Sequence, residues 1–279
     1  MKKILITGAN SYIGTSFEKY IKENFSDDYL VDTIDMIDGT WKEKSFCGYD
    51  VVFHVAGIVH KKETCENAHL YYEVNRDLTF NVAKKAKDDG VGQFIFLSSM
   101  SVYGKDIGVI TKNTVPNPKT HYGRSKLQAE EMISKLSDDK FRICILRPPM
   151  IYGDGCKGNY QIIVKIVKKL PFFPRVKNQR SLINIDNLVS FVKMSIDLNL
   201  GGVFFPQNRE YVATINLAKE IAVKLNKRIY FSFLLGIAVW ILKIFSKKLK
   251  KAFGSLIYQD TEDFDFSYCR EVCCAENKG

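Results

Sequence analysis

Residues 2–21, KKILITGANSYIGTSFEKYI, decide the fold of this chain. A run of β-branched and other apolar residues ends at Gly8, and Gly14 lies near the start of a segment whose apolar residues recur at helical spacing. Gly8 permits a tight turn, and Gly14 lets the helix pack close against the strand. The N–H groups at the start of such a helix attract phosphate groups. The stretch therefore predicts a strand–turn–helix unit that holds the pyrophosphate of a dinucleotide.

Ser11 departs from the usual glycine fingerprint, because it occupies the position of the middle glycine. Serine is small enough to leave room for the phosphates, and its hydroxyl is able to donate a hydrogen bond to one of them. A glycine-rich turn also occurs in strand–turn–helix units that bind no nucleotide, so the interpretation depends on companion motifs. The residues predicted to form the cofactor loop are Gly8, Asn10, Ser11, Tyr12, Ile13 and Gly14.

The composition is that of a folded globular protein: the chain has 279 residues, of which 46% are apolar and 26% are charged. The 41 Lys and Arg residues outnumber 31 Asp and Glu residues and give a formal net charge of +10. Such an excess indicates an anionic partner, which is a nucleic acid, a membrane surface or a phosphorylated small molecule. We expect no nucleic acid, because the sequence has neither a basic stripe interleaved with aromatic residues nor a helix-turn-helix pattern.

The cysteines predict a reducing compartment. Their number, seven, is odd, and no CxxC pair occurs. The first predicted strand begins almost at residue 1 and leaves no room for a signal peptide, so we expect a cytoplasmic protein. Cys269, Cys273 and Cys274 cluster without a histidine or a fourth ligand, and we interpret them as free thiols. No metal is predicted.

Short apolar runs alternate with segments of helical periodicity through the first half of the chain. The runs are nearly continuous in Val, Ile, Leu and Phe, as expected for parallel strands buried on both faces. The predicted strands cover residues 4–7, 30–34, 51–55, 94–98 and 143–146, and the predicted helices cover residues 12–23, 70–88 and 122–136. This alternation predicts an α/β fold with a Rossmann-type, doubly wound parallel sheet, which we assign to residues 1–150.

The character of the sequence changes after RPPMIYG, where glycines and prolines cluster. Shorter helical and extended segments then intermix, which predicts a smaller α/β substrate-binding portion over residues 151–279. We expect the helix of residues 187–198 to pack back onto the first domain.

Residues 229–245, IYFSFLLGIAVWILKIF, form a strongly apolar segment that leads into the basic run SKKLKK. The uncharged stretch is shorter than the roughly 18–20 residues that a membrane-spanning helix needs. Two interpretations stay open. The first, which the length favours, is a buried or pocket-covering helix. The second is a helix that lies on a membrane with the following lysines at acidic headgroups, which would give a peripheral membrane contact through residues 229–251.

Three further motifs follow predicted strands. DVVFHVAG, residues 50–57, ends in small residues that let a flat cofactor lie across the strand end. FIFLSSMSVYG, residues 94–104, brings hydroxyls to the end of the next strand, and YGRSK, residues 122–126, places a phenol and an ammonium on one helix face. Because ligands bind at the carboxyl ends of parallel strands, we expect these motifs to converge. His54, inside the first motif, is interpreted as a packed core histidine.

In this order the motifs resemble those of the extended short-chain dehydrogenase/reductase family, in its NAD-dependent nucleotide-sugar epimerase/dehydratase branch. The matching pieces span about residues 2–193 and are TGANSYIG, HVAG, VNRDLTFNVAKKAK, FLSSMSVYG, HYGRSK, LRPPMIYG and RSLINIDNL. The resemblance implies bound NAD and a nucleotide-sugar substrate, UDP-linked, in surface-polysaccharide synthesis. It leaves a homodimer open.

The resemblance also assigns roles to single residues. It implies that Ser99, Tyr122 and Lys126 are the catalytic trio, of which Tyr122 and Lys126 also contact the cofactor. Further cofactor-side positions are Ala56, Gly57, Asn75 and Pro148. The substrate-side positions are Ser99, Asn159 and Arg180, and Arg180 matches an arginine that meets the nucleotide diphosphate in relatives.

Asp35 stands at the end of the second predicted strand, where a carboxylate pairs with the adenosine ribose and repels a 2′-phosphate. Met36 is placed beside it, against the adenine. NAD is therefore favoured, and NADP is left open. The segment of residues 30–51 is short for the family, so one of the usual strands is missing or merged. Asp35 is then open to an adenine-binding role instead, with Asp38 as the spare acid.

A free tyrosine has a pKa near 10, which is too high for a base at neutral pH. Lys126 and an oxidised nicotinamide would both favour the phenolate, so we expect a lowered pKa for Tyr122. Tyr122 would take the proton of a sugar hydroxyl as hydride leaves the same carbon. Ser99 would bond the oxygen that becomes a carbonyl, and Lys126 would also hold the nicotinamide ribose.

Residues 99–101, SMS, stand where dehydratase members usually carry a Thr-Asp-Glu run, which disfavours elimination of water. Our working prediction is an epimerase that acts on a UDP-hexose or UDP-N-acetylhexosamine through a transient keto-sugar. An NAD(P)-dependent reductase of a UDP-keto-sugar stays open, since the sequence does not separate the two. A non-catalytic dinucleotide-binding regulator is disfavoured, because both Tyr122 and Lys126 are present.

Overall fold

A computed structural model describes residues 1–59, 61–156 and 158–259 of the chain. Short 3₁₀ turns at Thr40–Lys42 and Met100–Tyr103 and a π-turn at Glu73–Asp77 accompany the regular elements. The strands and α-helices are, in chain order, β1 (Lys2–Thr7), α1 (Tyr12–Asn24), β2 (Tyr29–Ile34), β3 (Val51–His54), α2 (Ala68–Tyr72), α3 (Leu78–Asp88), β4 (Gln93–Leu97), β5 (Gly108–Ile110), α4 (His121–Ser134), β6 (Arg142–Leu146), β7 (Met150–Tyr152), α5 (Asn159–Lys169), β8 (Phe172–Pro174), β9 (Leu182–Asn184), α6 (Ile185–Asp197), β10 (Gly202–Phe204), α7 (Thr214–Lys224), β11 (Tyr230–Ser232), α8 (Phe233–Leu242), α9 (Lys247–Phe253) and β12 (Leu256–Tyr258).

A parallel sheet with the strand order β10-β6-β4-β3-β1-β2 forms the centre of the molecule. The chain runs from β1 to β2 on one side and then to β3 on the other, so the strand order reverses at β1. Such a reversal opens a crevice at the carboxyl ends of the strands, where ligands bind in α/β folds. The predicted doubly wound sheet is confirmed, and its strands begin or end within two residues of their predicted bounds.

The short segment between β2 and β3 carries no further strand of the sheet among the described residues, so β2 is an edge strand. A 3₁₀ turn, Thr40–Lys42, occupies this connection instead, and its Trp41 is buried. The expectation that one of the usual strands is missing here is therefore confirmed.

Two apolar layers cover the faces of the sheet, because successive side chains of a strand point to opposite sides. On one face, Ile4 and Ile6 of β1 pack in a core with residues of α1 and α6. On the other, Leu5 packs in a core with residues of α3 and α4. Helix α6, which covers most of the predicted helix 187–198, thus lies on the first half of the chain.

A separate apolar cluster joins α5, α7 and α9, with Val167, Leu217 and Phe253 among its buried members. Short parallel strand pairs, β7–β9, β8–β11 and β5–β12, link these helices to the rest of the chain. The division into domains 1–150 and 151–279 stays a prediction.

Helix α8 contradicts the prediction of a buried helix in residues 229–245, because most of its apolar side chains are exposed, and a pocket-covering helix stays a prediction. Its inward side consists of Gly236, which is buried, and Val239, which is half-buried one turn later. A Cβ added to Gly236 would lie 2.4 Å from the carbonyl oxygen of Arg175, so α8 crosses β8 at backbone contact distance. All ten residues of the helix are apolar or glycine, and the pattern therefore marks no inward face.

Within the described residues, no helix is both long enough and apolar enough to cross a membrane. The cluster of Cys269, Cys273 and Cys274 lies outside the described residues.

Candidate active site

The loop between β1 and α1 has the geometry that the glycine pattern predicts. Gly8 has a φ of +100°, and Asn10 has a φ of 62°, which together turn the chain sharply. The N–H groups of Gly8 and Ala9 donate to the Ile34 carbonyl oxygen at 2.9 and 3.1 Å, which fixes the loop against the end of β2. Ser11 is the N-cap of α1, and its Oγ accepts a hydrogen bond from the Gly14 N–H at 3.2 Å. The serine at the unusual position therefore caps the helix.

This loop fits the phosphates of a dinucleotide. A Cβ added to Gly8 would lie 2.9 Å from the Ala56 nitrogen, and one added to Gly14 would lie 2.7 Å from Ser11 Oγ and 3.1 Å from Ile6. The loop thus lies so close to the ends of β1 and β3 that side chains there would collide. The N–H groups of the first turn of α1 have no intrahelical acceptor and point towards the crevice end of the sheet.

The residues after β2 divide into an exposed acid and a buried apolar side chain. Asp35 is exposed, and its Oδ1 accepts a hydrogen bond from the Ile37 N–H at 2.9 Å. Met36 is buried in the core beside Trp41, which leaves little of its surface for the predicted adenine contact. The pairing of Asp35 with a ribose and the contact of Met36 with an adenine stay predictions.

The loop after β3 meets the π-turn and α4 at Gly57. A Cβ added to Gly57 would lie 2.9 Å from Asn75 Oδ1 and 3.4 Å from Lys126 Nζ. Asn75 is fully buried inside the π-turn, where its Oδ1 accepts from the Ile58 N–H at 2.7 Å and its Nδ2 donates to Ser125 Oγ at 3.3 Å. Single π-turns are frequent at functional sites because they redirect one side chain. Here the turn directs Asn75 to the predicted cofactor side.

His54 is packed as expected, with no exposed surface. Its Nδ1 is 2.6 Å from Thr7 Oγ1, and its Nε2 is 3.0 Å from Thr79 Oγ1. Because Thr79 Oγ1 donates to the Asn75 carbonyl, it accepts from His54, which assigns the proton to Nε2. Burial, aided by the charge of Lys126, lowers the pKa of His54 from 6.5 to about 3, so the ring is neutral.

Ser99 and Tyr122 meet at the carboxyl end of β4. Ser99 follows this strand directly and begins a 3₁₀ turn, while Tyr122 lies in the first turn of α4. Ser99 Oγ donates to Ser101 Oγ at 3.1 Å and lies within hydrogen-bonding reach of the Tyr122 phenol, and the side chains of Ser99 and Tyr122 are partly exposed. Two neighbouring hydroxyls at the open end of the sheet provide a donor and an acceptor for the oxygen of a bound alcohol.

Lys126 lies one turn further along α4 and is almost fully buried. Its Nζ donates to the Leu97 carbonyl oxygen at 2.8 Å and lies 4.5 Å from the centre of the Phe96 ring. Burial lowers the pKa of Lys126 from 10.5 to about 7, against the opposing influence of Glu130. The ammonium is therefore easily deprotonated near neutral pH.

The expected lowering of the Tyr122 pKa depends on an oxidised nicotinamide as well as on Lys126, and it stays a prediction. Burial raises the pKa of Tyr122 above its usual value near 10, and the hydrogen bond with Ser99 only opposes that rise. Lys126 Nζ is directed to Leu97 at the end of β4, so its bond goes to a carbonyl and not to the phenol.

Two features of the site were not predicted from the sequence. The carboxylate of Glu63 accepts hydrogen bonds from the N–H groups of His121 and Tyr122, each at 3.0 Å, and so caps α4 from a loop 59 residues before Tyr122. No local signal marks such a distant cap.

The second feature is a buried ion pair behind the site. Arg147, at the end of β6, bonds both carboxylate oxygens of Glu130, which also accepts a hydrogen bond from Ser98. Arg147 Nη1 donates to the Tyr103 hydroxyl at 2.7 Å. Glu130 lies one turn after Lys126 on the same helix face, and this spacing suggests Lys126 as its partner, so no local signal points to Arg147.

The remaining predicted residues lie around this centre. Pro148 is buried, and its carbonyl oxygen accepts from the Met100 N–H at 2.9 Å. The Tyr12 hydroxyl donates to the Asp154 carbonyl at 3.0 Å and thus joins α1 to the segment after β7. Within the described residues, no group of three or more His, Cys, Asp or Glu residues could hold a metal ion.

The predicted substrate-side arginine bonds the backbone at the end of α9. Arg180 Nη1 donates to the Gly254 carbonyl at 2.9 Å, and burial lowers the pKa of this arginine below its usual value. Asn159 is the first residue of α5, and its side chain lies outside the described part of the structure. The substrate contacts of Arg180 and Asn159 stay predictions.

Comparison with known proteins agrees with the motifs. The family model described as NAD dependent epimerase/dehydratase family matches residues 4–201. The chain is 33% identical to UDP-glucose 4-epimerase of Vibrio cholerae, over 97% of this chain and 89% of that protein. It is 26% identical to N-acetyl-alpha-D-glucosaminyl-diphospho-ditrans,octacis-undecaprenol 4-epimerase of Escherichia coli O157:H7, over 81% of this chain and 73% of that protein.

Among solved structures, the fold is similar to UDP-glucuronic acid 4-epimerase from Bacillus cereus in complex with NAD. The TM-score is 0.70 at 19% identity, and the match covers 93% of this chain and 90% of that one. Because the family model covers well over half of the chain, the protein belongs to the NAD-dependent epimerase/dehydratase family.

Proposed function

We propose that the protein is an NAD-dependent epimerase that inverts C4 of a UDP-linked hexose or N-acetylhexosamine through a transient keto-sugar. The observation that carries this proposal is the meeting of the Ser99 and Tyr122 hydroxyls beside the glycine loop that fits a dinucleotide. The names of the relatives support the choice of C4 and of a UDP-linked sugar.

Different residues of the chain would have different roles in such a reaction. When bound, NAD would supply a hydride acceptor and, in its oxidised form, a positive charge. Tyr122 takes the proton of the sugar hydroxyl as that carbon is oxidised and returns it when the carbon is reduced on its other face. Ser99 donates a hydrogen bond to the same oxygen, and Lys126 and Asn75 hold the nicotinamide ribose.

Burial makes Tyr122 a poor base in the absence of a nearby positive charge, since it raises the pKa of the phenol. Proton removal is therefore coupled to occupancy of the cofactor loop. This coupling suits an epimerase that keeps its cofactor through many turnovers.

NAD is proposed over NADP because Asp35 directly follows Ile34, whose carbonyl oxygen holds the phosphate loop. A carboxylate at this place accepts hydrogen bonds from a ribose and repels a 2′-phosphate. Asp35→Ala should therefore erode the preference for NAD in a binding titration with both cofactors. An unchanged preference would remove Asp35 from the ribose site.

The cellular setting belongs to the same proposal. We propose a cytoplasmic protein, as the sequence predicted, and the homodimer stays a prediction that no observation tests. A role in surface-polysaccharide synthesis follows from the proposed substrate class.

A lipid-linked diphospho-sugar is the second candidate substrate. The relative from Escherichia coli carries such a compound in its name. The observation that favours it here is the exposed apolar surface of α8, which is suited to a lipid environment.

The test is an incubation of the purified protein with UDP-glucose, UDP-N-acetylglucosamine and an undecaprenyl-diphosphate-linked N-acetylglucosamine. The 4-epimer of a UDP-sugar, formed without net change in nicotinamide absorbance, is the expected result. Turnover of the lipid-linked compound alone would select the second candidate. Stoichiometric consumption of reduced cofactor with a keto-sugar would instead indicate the reductase. Cofactor binding without turnover of any tested sugar compound would indicate the non-catalytic dinucleotide-binding regulator.

A further inference from the structure

We propose that α8 and the lysine-rich segment after it dock the protein on the surface of an anionic phospholipid bilayer. Large apolar side chains dominate the exposed surface here. Between 53% and 83% of the surface is accessible for each of Phe233, Leu234, Trp240, Leu242, Ile244 and Phe245. A continuous exposed apolar surface of this kind marks a protein or membrane contact.

The orientation of α8 suits a helix that lies in the plane of a membrane. Gly236, Val239 and Lys243 follow one another at helical spacing and form its less exposed side, with Gly236 against the backbone of Arg175. The opposite side carries the exposed apolar residues. Ten residues of α-helix extend about 15 Å, roughly half the thickness of a hydrocarbon core. The helix is thus suited to lie on a bilayer and not to span it.

The apolar surface continues onto the neighbouring strand pair β8–β11. Phe172 and Tyr230 are paired across these strands, with ring centres 5.9 Å apart, and about half or more of each residue is exposed. Aromatic side chains favour the level of lipid headgroups. Aromatic residues therefore surround the start of α8 as well as its end.

The charge of this region points to an anionic surface. Residues 221–259 contain eight Lys or Arg residues and no Asp or Glu, and residues 155–185 contain seven and none. Carboxylates of neighbouring residues are Asp154, 3.1 Å from Lys224, Asp106, 3.7 Å from Lys251, and Glu220, which also acts on Lys224. The excess of cations remains large, and each Lys or Arg near an anionic membrane contributes about 1 kcal/mol.

The same charge argues against a second copy of this chain as the occupant. In a two-fold symmetric contact the same patch is present on both subunits, so the cations of one copy would face those of the other. An anionic bilayer neutralises the cations and also receives the apolar side chains. The proposal goes beyond the epimerase activity and holds for any substrate.

Tryptophan fluorescence provides a direct test, because the chain has two tryptophans in opposite environments. Trp41 is 5% exposed and Trp240 is 61% exposed. In a Trp41→Phe variant, the emission of Trp240 should shift to the blue with vesicles of phosphatidylcholine and phosphatidylglycerol and much less with phosphatidylcholine alone. No shift with the anionic vesicles would overturn the proposal. A blue shift that grows with protein concentration without vesicles would also overturn it, in favour of self-association.

Paired variants, compared by vesicle co-sedimentation, separate the apolar contribution to membrane binding from the electrostatic one. Leu234→Ser with Phe245→Ser should weaken binding at least tenfold, because each side chain loses much of its transfer free energy. Lys250→Gln with Lys251→Gln should weaken binding several-fold and reduce its dependence on salt.

Matched controls lie elsewhere on the surface. Val115→Ser removes a side chain of the loop before α4 that is 79% exposed, and Lys19→Gln removes a charge of α1 whose side chain is 72% exposed. Both should bind vesicles like the parent protein. Equal losses in controls and α8 variants, or no loss in the α8 variants, would overturn the proposal.

Discussion

The first half of the chain and the segment from β11 to α9 use apolar side chains in opposite ways. In β1, Ile4, Leu5 and Ile6 have no exposed surface, because helices cover both faces of the sheet. In α8, Leu234 and Trp240 are mostly exposed. The comparison shows that an apolar segment is buried only where another element of the chain packs against it.

Polar and charged side chains also differ in burial between the two regions. The first half buries His54, Lys126 and Glu130, and each of them has hydrogen-bond partners. Burial shifts the pKa of His54 and of Lys126 strongly, which is typical of functional sites. Beside α8, Lys243 and Lys250 are partly exposed and Lys251 is exposed. The following predictions test this division.

The largest effect is expected at Tyr122, at the open end of the first half. Tyr122→Phe removes the group that carries the proton, and turnover should fall by about 10²- to 10⁴-fold while NAD binding is retained. Product formation and a cofactor titration measure the two quantities. Tyr49→Phe is the control, because the Tyr49 hydroxyl donates to Asp32 at the far edge of the sheet. Unchanged turnover in Tyr122→Phe would contradict the proposed mechanism.

The buried ion pair should dominate stability. Glu130→Ala leaves Arg147 buried without its carboxylate, so the free energy of unfolding should fall by about 3–5 kcal/mol in urea titrations. Lys84→Ala breaks an exposed pair with Asp88 and should cost less than about 1 kcal/mol. Similar losses in both variants would show that burial does not separate the two kinds of pair.

His54 should make the first half sensitive to acid. Its pKa in the folded protein is about 3, against 6.5 for an unperturbed histidine, so between these values the unfolded chain binds the additional proton. The free energy of unfolding should therefore fall as pH falls, by about 1.4 kcal/mol per pH unit from this residue. His54→Gln should flatten the profile measured by urea unfolding across this range. The exposed His69 is the control, and an equally flattened profile in His69→Gln would contradict the assignment.

Two glycines give the most direct comparison and the smallest effects. Gly14→Ala places a Cβ 2.7 Å from Ser11 Oγ and 3.2 Å from Val55, so we expect a loss of about 1–3 kcal/mol in the free energy of unfolding. Gly236→Ala collides with the Arg175 carbonyl, and α8 is able to shift outward because its other faces are exposed.

The global stability of Gly236→Ala should change by less than about 1 kcal/mol, while hydrogen exchange in α8 becomes faster. If Gly236→Ala destabilises the whole protein as much as Gly14→Ala does, α8 is part of the cooperative core and the contrast between the regions fails.

Much of the fold could be predicted because its signals are local. Strands buried on both faces read as continuous apolar runs, and β1, β3, β4 and β6 were found this way. The geometry of the glycine loop and the placement of Tyr122 and Lys126 on one helix face were also predicted from short motifs, since neighbouring residues determine them.

Other features of the site depend on residues far apart in the chain. The cap from Glu63 to Tyr122 joins a loop to a helix through the tertiary fold, so no spacing predicts it. The burial that raises the pKa of Tyr122 and the turn of Lys126 towards Leu97 are likewise properties of packing, which the motifs do not contain.

The sequence by itself determined the parallel sheet, the position of the phosphate loop and the presence of a phenol and an ammonium on one helix face. Each of these features depends on hydrophobic periodicity or on glycine positions among residues that are close together in the sequence. Only the tertiary structure decided which way α8 faces, what caps α4 and where the charge of Lys126 goes. These depend on which surfaces meet across the fold, and a uniformly apolar helix contains no pattern that selects one of its faces.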